Sequence, residues 1–306
     1  MIEILNRKWK AFRRDPRSLA LSLSVHLAAL LTMLALLFIL AYIFIKGIPH
    51  LTLELFAWEY NSENVSLLPA LINTLLITAA ALIFAVPVGI GAAVYLTEYA
   101  GKKGRRALSL SGGRVGLPQW LISRGNVLVN LVGITTETLS GIPSIVYGLF
   151  GSLFFVKYLG FGLSLLSGAL TLSIMILPLI MRTTEEALKA VPDSYREGSF
   201  GLGAGKLRTV FSIVLPCAVP GILSGVILGV GRVVGESAAL IFTAGTVAEA
   251  ASSIFSSART LSVHMYAISG EGLYINQTYA TAVVLVAVVV GINALSGFAA
   301  KKIGRR

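Results

Sequence analysis

A helix that crosses a bilayer needs about 20 consecutive, mostly apolar residues, and six regions of this chain offer such runs. They lie between Arg17 and Lys46, between Glu63 and Glu98, from Gly125 to Val156 with only Glu137 intervening, and from Tyr158 to Met181. A fifth follows Arg208 and continues to Ala248, carrying Arg232 and Glu236 within it, and a sixth fills the interval from Glu271 to Lys301. These lengths suit helices and exceed barrel strands. Composition agrees: 56% of the 306 residues are hydrophobic and 13% charged, against about a quarter charged in soluble domains. The expected fold class is an all-α integral membrane protein of six transmembrane helices. Basic residues precede the first run as in a signal peptide, but the run is too long and has no small-residue cleavage pattern, so it reads as a retained helix.

The net charge of +11 could point to nucleic acid, yet its placement has a different explanation. Basic segments flanking spans stay on the cytoplasmic side. Four segments hold 21 of the 25 bases: the N-terminal tail to Arg17, the stretch Lys102–Arg124, the stretch Arg182–Arg208 and the tail from Lys301. The remaining segments carry Glu54, Glu59, Glu63, Glu249 and Glu271 against Lys46, Lys157 and Arg259. Alternation is complete with six helices and both termini cytoplasmic, and no nucleic-acid partner is called for. The single Cys217 and the distant His26, His50 and His264 argue against a disulfide framework or a metal site. Pro87 and Pro143 are expected to kink helices. The run Gly201-Leu202-Gly203-Ala204-Gly205 lacks a preceding strand and the Gly-Lys-Ser/Thr ending of a phosphate loop, so nucleotide binding by this chain is not expected.

Between spans four and five lies a structured cytoplasmic segment. Thr183 and Thr184 ahead of Glu185 and Glu186 suggest a helix start, which Pro192 would end. Asp193 and Ser194 could cap a second short helix through Tyr195, Arg196 and Glu197, closed by Gly201, Gly203 and Gly205. Such a helix suits docking to another protein, though a solvated connector would read similarly.

Span five carries the other unusual feature. Gly221, Gly225 and Gly229 form a small-residue stripe that lets helices approach closely. Arg232 and Glu236, four residues apart, can share a helix face, and a charge at the bilayer centre costs roughly 2.5–3.5 kcal/mol on insertion scales. Two readings remain open: an anion pathway in which Arg232 offers a bidentate guanidinium to an oxyanion, or a structural ion pair locking two helices. Glu137, beside Thr135, Thr136 and Thr138, could face the same pathway or pair with a base elsewhere.

Glu197-Gly198-Ser199, then Gly203, then Ile213, Leu215 and Pro216 resemble the EAA loop of ABC importer permeases, whose pattern is EAA, three residues, Gly, nine residues and I-x-LP. The spacing matches throughout; Gly198-Ser199 replaces Ala-Ala. The runs GRVVGESAALIFTAG and SGIPSIVYGLFG, with the VHMY to YATAVVLV region, resemble the permease subunits of phosphate importers, of PstA type with the sibling PstC type nearest. The resemblance implies a type I ABC importer permease core at 65–306 with its coupling loop at 182–212. Residues 1–64 would comprise a cytoplasmic tail, a peripheral first helix and an outer loop. It further implies an ATP-driven phosphate importer in a prokaryotic plasma membrane, in which this chain forms half of the pathway and has no catalytic residues. The implied partners are a PstC-type permease, a dimer of PstB-type ATPase subunits and a PstS-type extracytoplasmic phosphate-binding protein, with membrane lipid around the spans. ATP and Mg would be bound by the ATPase, leaving no cofactor in this chain. Rival readings are an ABC permease for another substrate, a secondary transporter or channel, and a structural membrane anchor.

Overall fold

A computed structural model describes residues 16–100 and 131–303. The basic stretch Lys102–Arg124, most of the N-terminal tail and the start of span three lie outside the described residues.

Long apolar runs with internally bonded backbones form helices because hydrocarbon offers the peptide groups no partner. In order these are α1 (Pro16–Gly47), α2 (Leu68–Val94), α3 (Leu131–Ser140), α4 (Ser144–Tyr158) and α5 (Leu165–Ala190). After them come α6 (Asp193–Gly201), α7 (Lys206–Val234), α8 (Ala238–Thr243), α9 (Leu261–Glu271) and α10 (Ile275–Ile303). π-Helical turns extend α2 over Tyr95–Ala100, close α4 over Ser152–Tyr158 and interrupt α7 over Val210–Val214. Among the described residues, five helices are long and apolar enough to cross a membrane: α1, α2, α5, α7 and α10.

The third expected span is not one helix. Its arms α3 and α4 meet at 104°, so the kink expected at Pro143 is a full break. Gly141, Ile142 and Pro143 form the elbow, with turn bonds from Gly141 N to Thr138 O and from Ile142 N to Leu139 O. A second correction concerns Thr183 and Thr184. They start no helix, because α5 runs unbroken from Leu165 to Ala190 and the Thr183 hydroxyl donates back to the Leu179 carbonyl.

The core forms where α2 meets α5. Ile77, Ala81 and Ala85 pack against Leu172, Met175, Ile176 and Ile180, all essentially inaccessible. The Ser173 hydroxyl donates to Ala81 O at 3.0 Å across this seam. The glycine stripe of α7 faces α5 as its spacing suggested: Gly221 abuts Ala187, Gly225 abuts Thr183, and Gly229 faces Ile176 and Ile180. By contrast α1 stands at the periphery, its apolar window wholly unburied. It touches α10 where Gly47 meets Tyr279 and Val283 and where the Tyr42 and Tyr279 rings cross edge-on at 5.7 Å.

On the outer side, the loop after α8 is stapled to the first turns of α2. The fully buried Asn73 amide donates to Glu249 O (2.9 Å) and Arg259 O (3.1 Å) and accepts from Ala251 N (2.9 Å). One residue on, Thr74 Oγ1 accepts from Leu261 N at 2.8 Å. These bonds carry no helix or strand pairing of their own, so the shape of the outer loop depends on them.

Candidate functional site

Arg232 lies in the last turn of α7, and the short α8 that follows packs against α4 beyond the elbow of the broken span. Helix α7 ends at Val234, Gly235 closes it, and Glu236 turns away from the helix. The expected Arg232–Glu236 pairing therefore does not form: the i,i+4 geometry requires helix between the two residues, and the helix stops first. Glu236 instead accepts from Ala239 N at 3.1 Å through Oε1, capping the start of α8, while its carbonyl accepts from the Ser262 hydroxyl. A carboxylate on exposed N–H groups at a helix start is favourably placed.

Arg232 is half-buried and, among the described residues, enters no ion pair. Across the elbow, Tyr147 stands in the first turn of α4. Its hydroxyl donates to Leu139 O at 2.6 Å, tying α4 back to α3. Close packing holds the breaks together: Gly148 admits the backbone of Ala239, Gly151 admits Thr171 and Thr243, and Gly168 admits Ala244. Arg232 sits in the last turn of α7, where the negative end of the helix favours a cation, so its guanidinium is held there without a carboxylate partner among the described residues. Glu137 is exposed on α3 and, among the described residues, forms no ion pair.

Beyond Pro192 a short helix forms where the residues suggest one, although Pro192 is its N-cap and neither Asp193 nor Ser194 caps it with a side-chain bond. Helix α5 ends before Pro192, Asp193 opens α6, and Gly203 leaves it with φ of +81°, a conformation that glycine adopts without penalty. Glu197 and Gly198 face solvent, whereas Ser199 is buried and shares a 2.8 Å hydrogen bond with Thr209. A Cβ at position 198 would meet nothing within 4 Å, so the alanine of the EAA pattern would fit here. Between α6 and the start of α7 lies an open groove of about 470 Å³, lined by Tyr195, Gly198, Leu202, Arg208 and Ile213 among others. Leu202 is 91% exposed beside it, and apolar side chains so presented mark contact surfaces. Leu215 and Pro216 continue from Ile213 into span five.

Sequence reasoning overlooked His264 on α9. The ring is buried, neither nitrogen makes a well-formed hydrogen bond, and Tyr60 meets it edge-on at 6.0 Å. Burial foremost, then the nearby Arg259 charge, push the imidazole down from 6.5 to about 4, with the Val65 backbone pulling weakly the other way. Because the folded value lies below the unfolded one, this group's contribution to stability is complete above about pH 6.5 and is lost as pH falls toward 4. The expected loss is roughly 2 kcal/mol between pH 7 and pH 5. Thermal unfolding in detergent should show it, and His264→Gln should flatten the pH dependence; an equally steep profile in the variant would place its origin elsewhere.

Residues 112–306 match the family described as binding-protein-dependent transport system inner membrane component. Over 248 residues the chain is 31% identical to the probable ABC transporter permease protein YqgI of Bacillus subtilis (strain 168), with 76% of each chain covered. Over 240 residues it is 33% identical to the phosphate transport system permease protein PstA of Yersinia pestis, covering 78% of this chain and 73% of that one. It is 37% identical over 176 residues to the phosphate transport system permease protein PstA 1 of Mycobacterium tuberculosis (strain CDC 1551 / Oshkosh), covering 58% of this chain and 50% of that one. The chain thus spans about half the length of this mycobacterial relative. Among solved structures, a bacterial alginate ABC transporter in complex with an alginate pentasaccharide-bound periplasmic protein superposes with a TM-score of 0.61 at 16% identity, covering 97% and 98% of the two chains. That likeness concerns the fold.

Proposed function

Because the chain belongs to the family of binding-protein-dependent transport system inner membrane components, we propose that it is the permease subunit of an ATP-driven phosphate importer. It would form half of the membrane pathway for inorganic phosphate and couple to a separate ATPase. The observation that carries the substrate is Arg232, a guanidinium without a carboxylate partner among the described residues, set in the last turn of α7 just ahead of the α8 that packs on the broken span. Relatives named as phosphate permeases support the same substrate.

In this reading Arg232 meets the phosphate oxyanion during passage, since its planar fork matches phosphate geometry. Glu236 holds the turn that presents it. Glu137, exposed on α3, is assigned to the same pathway. The coupling loop, with Glu197, Gly198, Ser199 and Gly203 on or beside α6 and Ile213, Leu215 and Pro216 leading into the membrane, docks a dimer of PstB-type ATPase subunits. These subunits bind ATP and Mg²⁺. A PstC-type permease completes the pore and a PstS-type protein delivers phosphate from outside. The core occupies 65–306, with the first helix an accessory.

The test is phosphate uptake into vesicles holding the assembled complex. Arg232→Gln is expected to lower uptake at least about tenfold, equivalent to roughly 1.4 kcal/mol in the rate-limiting barrier, with the ATPase still bound. Unchanged uptake with normal assembly would favour a second reading, a permease for another solute. Its support is the resemblance to YqgI, whose name specifies no substrate.

A further inference from the structure

We propose that the buried Glu98–Arg196 ion pair is the link through which motion of α6 reaches the membrane spans, an inference that rests on the permease reading above. Glu98 lies in the π-helical end of α2 and Arg196 on the inward face of α6, 98 residues later, and they are 2% and 4% exposed. Arg196 donates from Nε (3.1 Å) and Nη2 (2.7 Å) to the same Glu98 oxygen. Nη1 donates to Val191 O at 2.7 Å and to Asp193 Oδ1 at 3.3 Å, and Nη2 also donates to Leu188 O at 2.8 Å. These five bonds match the five N–H donors of a guanidinium. One side chain thereby joins the end of span two, the end of span four and α6 itself.

The direction of this attachment matters more than its contribution to stability. Apolar burial is non-directional and would let a nine-residue helix slide or roll on the bundle. Hydrogen bonds constrain angle as well as distance, and the planar guanidinium aims at three separate elements at once. The carbonyls of Leu188 and Val191 lie at the end of α5, where helix carbonyls lack intrahelical partners and favour a cation. A buried pair of charges is a weak source of stability compared with well-packed apolar residues, so mechanical coupling is the better account of it. The opposite face of α6 presents Tyr195, Glu197 and Gly198 to the cytoplasm. A push received there is passed inward through Arg196 to α2 and α5, and through Ser199 and Thr209 to α7.

Two measurements test the link on the assembled complex, using Glu98→Gln and Arg196→Lys. First, phosphate taken up per ATP hydrolysed should fall at least about fivefold, a change on the scale of ordinary coupling free energies, while the amount of bound ATPase stays at the wild-type level. An unchanged ratio in both variants, or loss of the ATPase together with transport, would overturn the link. Second, amide hydrogen exchange on residues 193–201 should accelerate about tenfold in both variants while α2 and α5 keep their protection, because a freed element opens locally. Unchanged exchange in α6 would overturn the link irrespective of substrate. A wild-type complex that hydrolyses ATP without moving phosphate would instead count against the substrate reading, and the exchange measurement would still decide the link.

Discussion

Gly225→Leu will destabilise the bundle by about 3 kcal/mol or more and push α7 away from α5, because overpacking a tight seam typically costs 1–3 kcal/mol and sometimes more. A Cβ placed on Gly225 would lie 2.6 Å from the Thr183 Cβ, and its hydroxyl would be closer still. Rotating Thr183 relieves only the hydroxyl, since its Cβ is fixed to the α5 backbone. Gly221 against Ala187 leaves no slack one turn earlier. Helix propensity alone predicts the opposite sign, as replacing an interior glycine should gain up to about 1 kcal/mol. Thermal unfolding in detergent distinguishes the two. A variant that melts at or above the wild-type temperature would show that the seam can open, and Thr183→Gly should restore part of the loss in Gly225→Ala.

Asn73→Leu is the second large effect, expected to cost roughly 3–6 kcal/mol locally, since each unsatisfied buried polar group costs about 1–3 kcal/mol. Leucine has similar bulk but offers nothing to Glu249 O, Arg259 O or Ala251 N, three groups that the asparagine amide satisfies together. Thr74 still holds Leu261, so the loss should be confined to the loop between α8 and α9. Hydrogen exchange on residues 247–259 should rise by two orders of magnitude or more, on the conversion of about 1.4 kcal/mol per tenfold, with the α2–α5 seam unaffected. Protection equal to wild type would mean that other contacts hold the loop.

Much of the architecture follows from hydropathy and charge because both are local properties. Five spans occur where uncharged runs occur, and α6 lies between the proline and the glycines that bound it. The failures share a cause. The Arg232–Glu236 pair assumed a continuous helix, but Gly235 and the capping of α8 by Glu236 end it. The helix start at Thr183 was misplaced because hydroxyls that cap one helix can equally bond back within another, as Thr183 does to Leu179 O. Long-range partners were invisible for a simpler reason. Glu98 appeared as the boundary of a span and Arg196 as one base of a topology signal, and nothing in spacing announces a pair 98 residues apart. A lone acid ending an apolar span ahead of a basic segment was the available hint. Asn73, a single amide in an otherwise apolar run, was another.

The elbow between α3 and α4 also bears on how the chain is made. At 1.5 Å per residue, the fifteen-residue arm Ser144–Tyr158 beyond the elbow rises about 22 Å, short of the roughly 30 Å of hydrocarbon. That arm alone is too short to settle as an independent transmembrane segment on leaving the translocon. Broken backbone at that depth is tolerated where protein or a water-filled cavity surrounds it, and the close contacts of Gly148 and Gly151 come from α5 and α8, both synthesised later. The contacts that seal this segment are therefore complete only once about 90 further residues, through Thr243, have emerged, so truncation before α8 should leave the elbow without its partners.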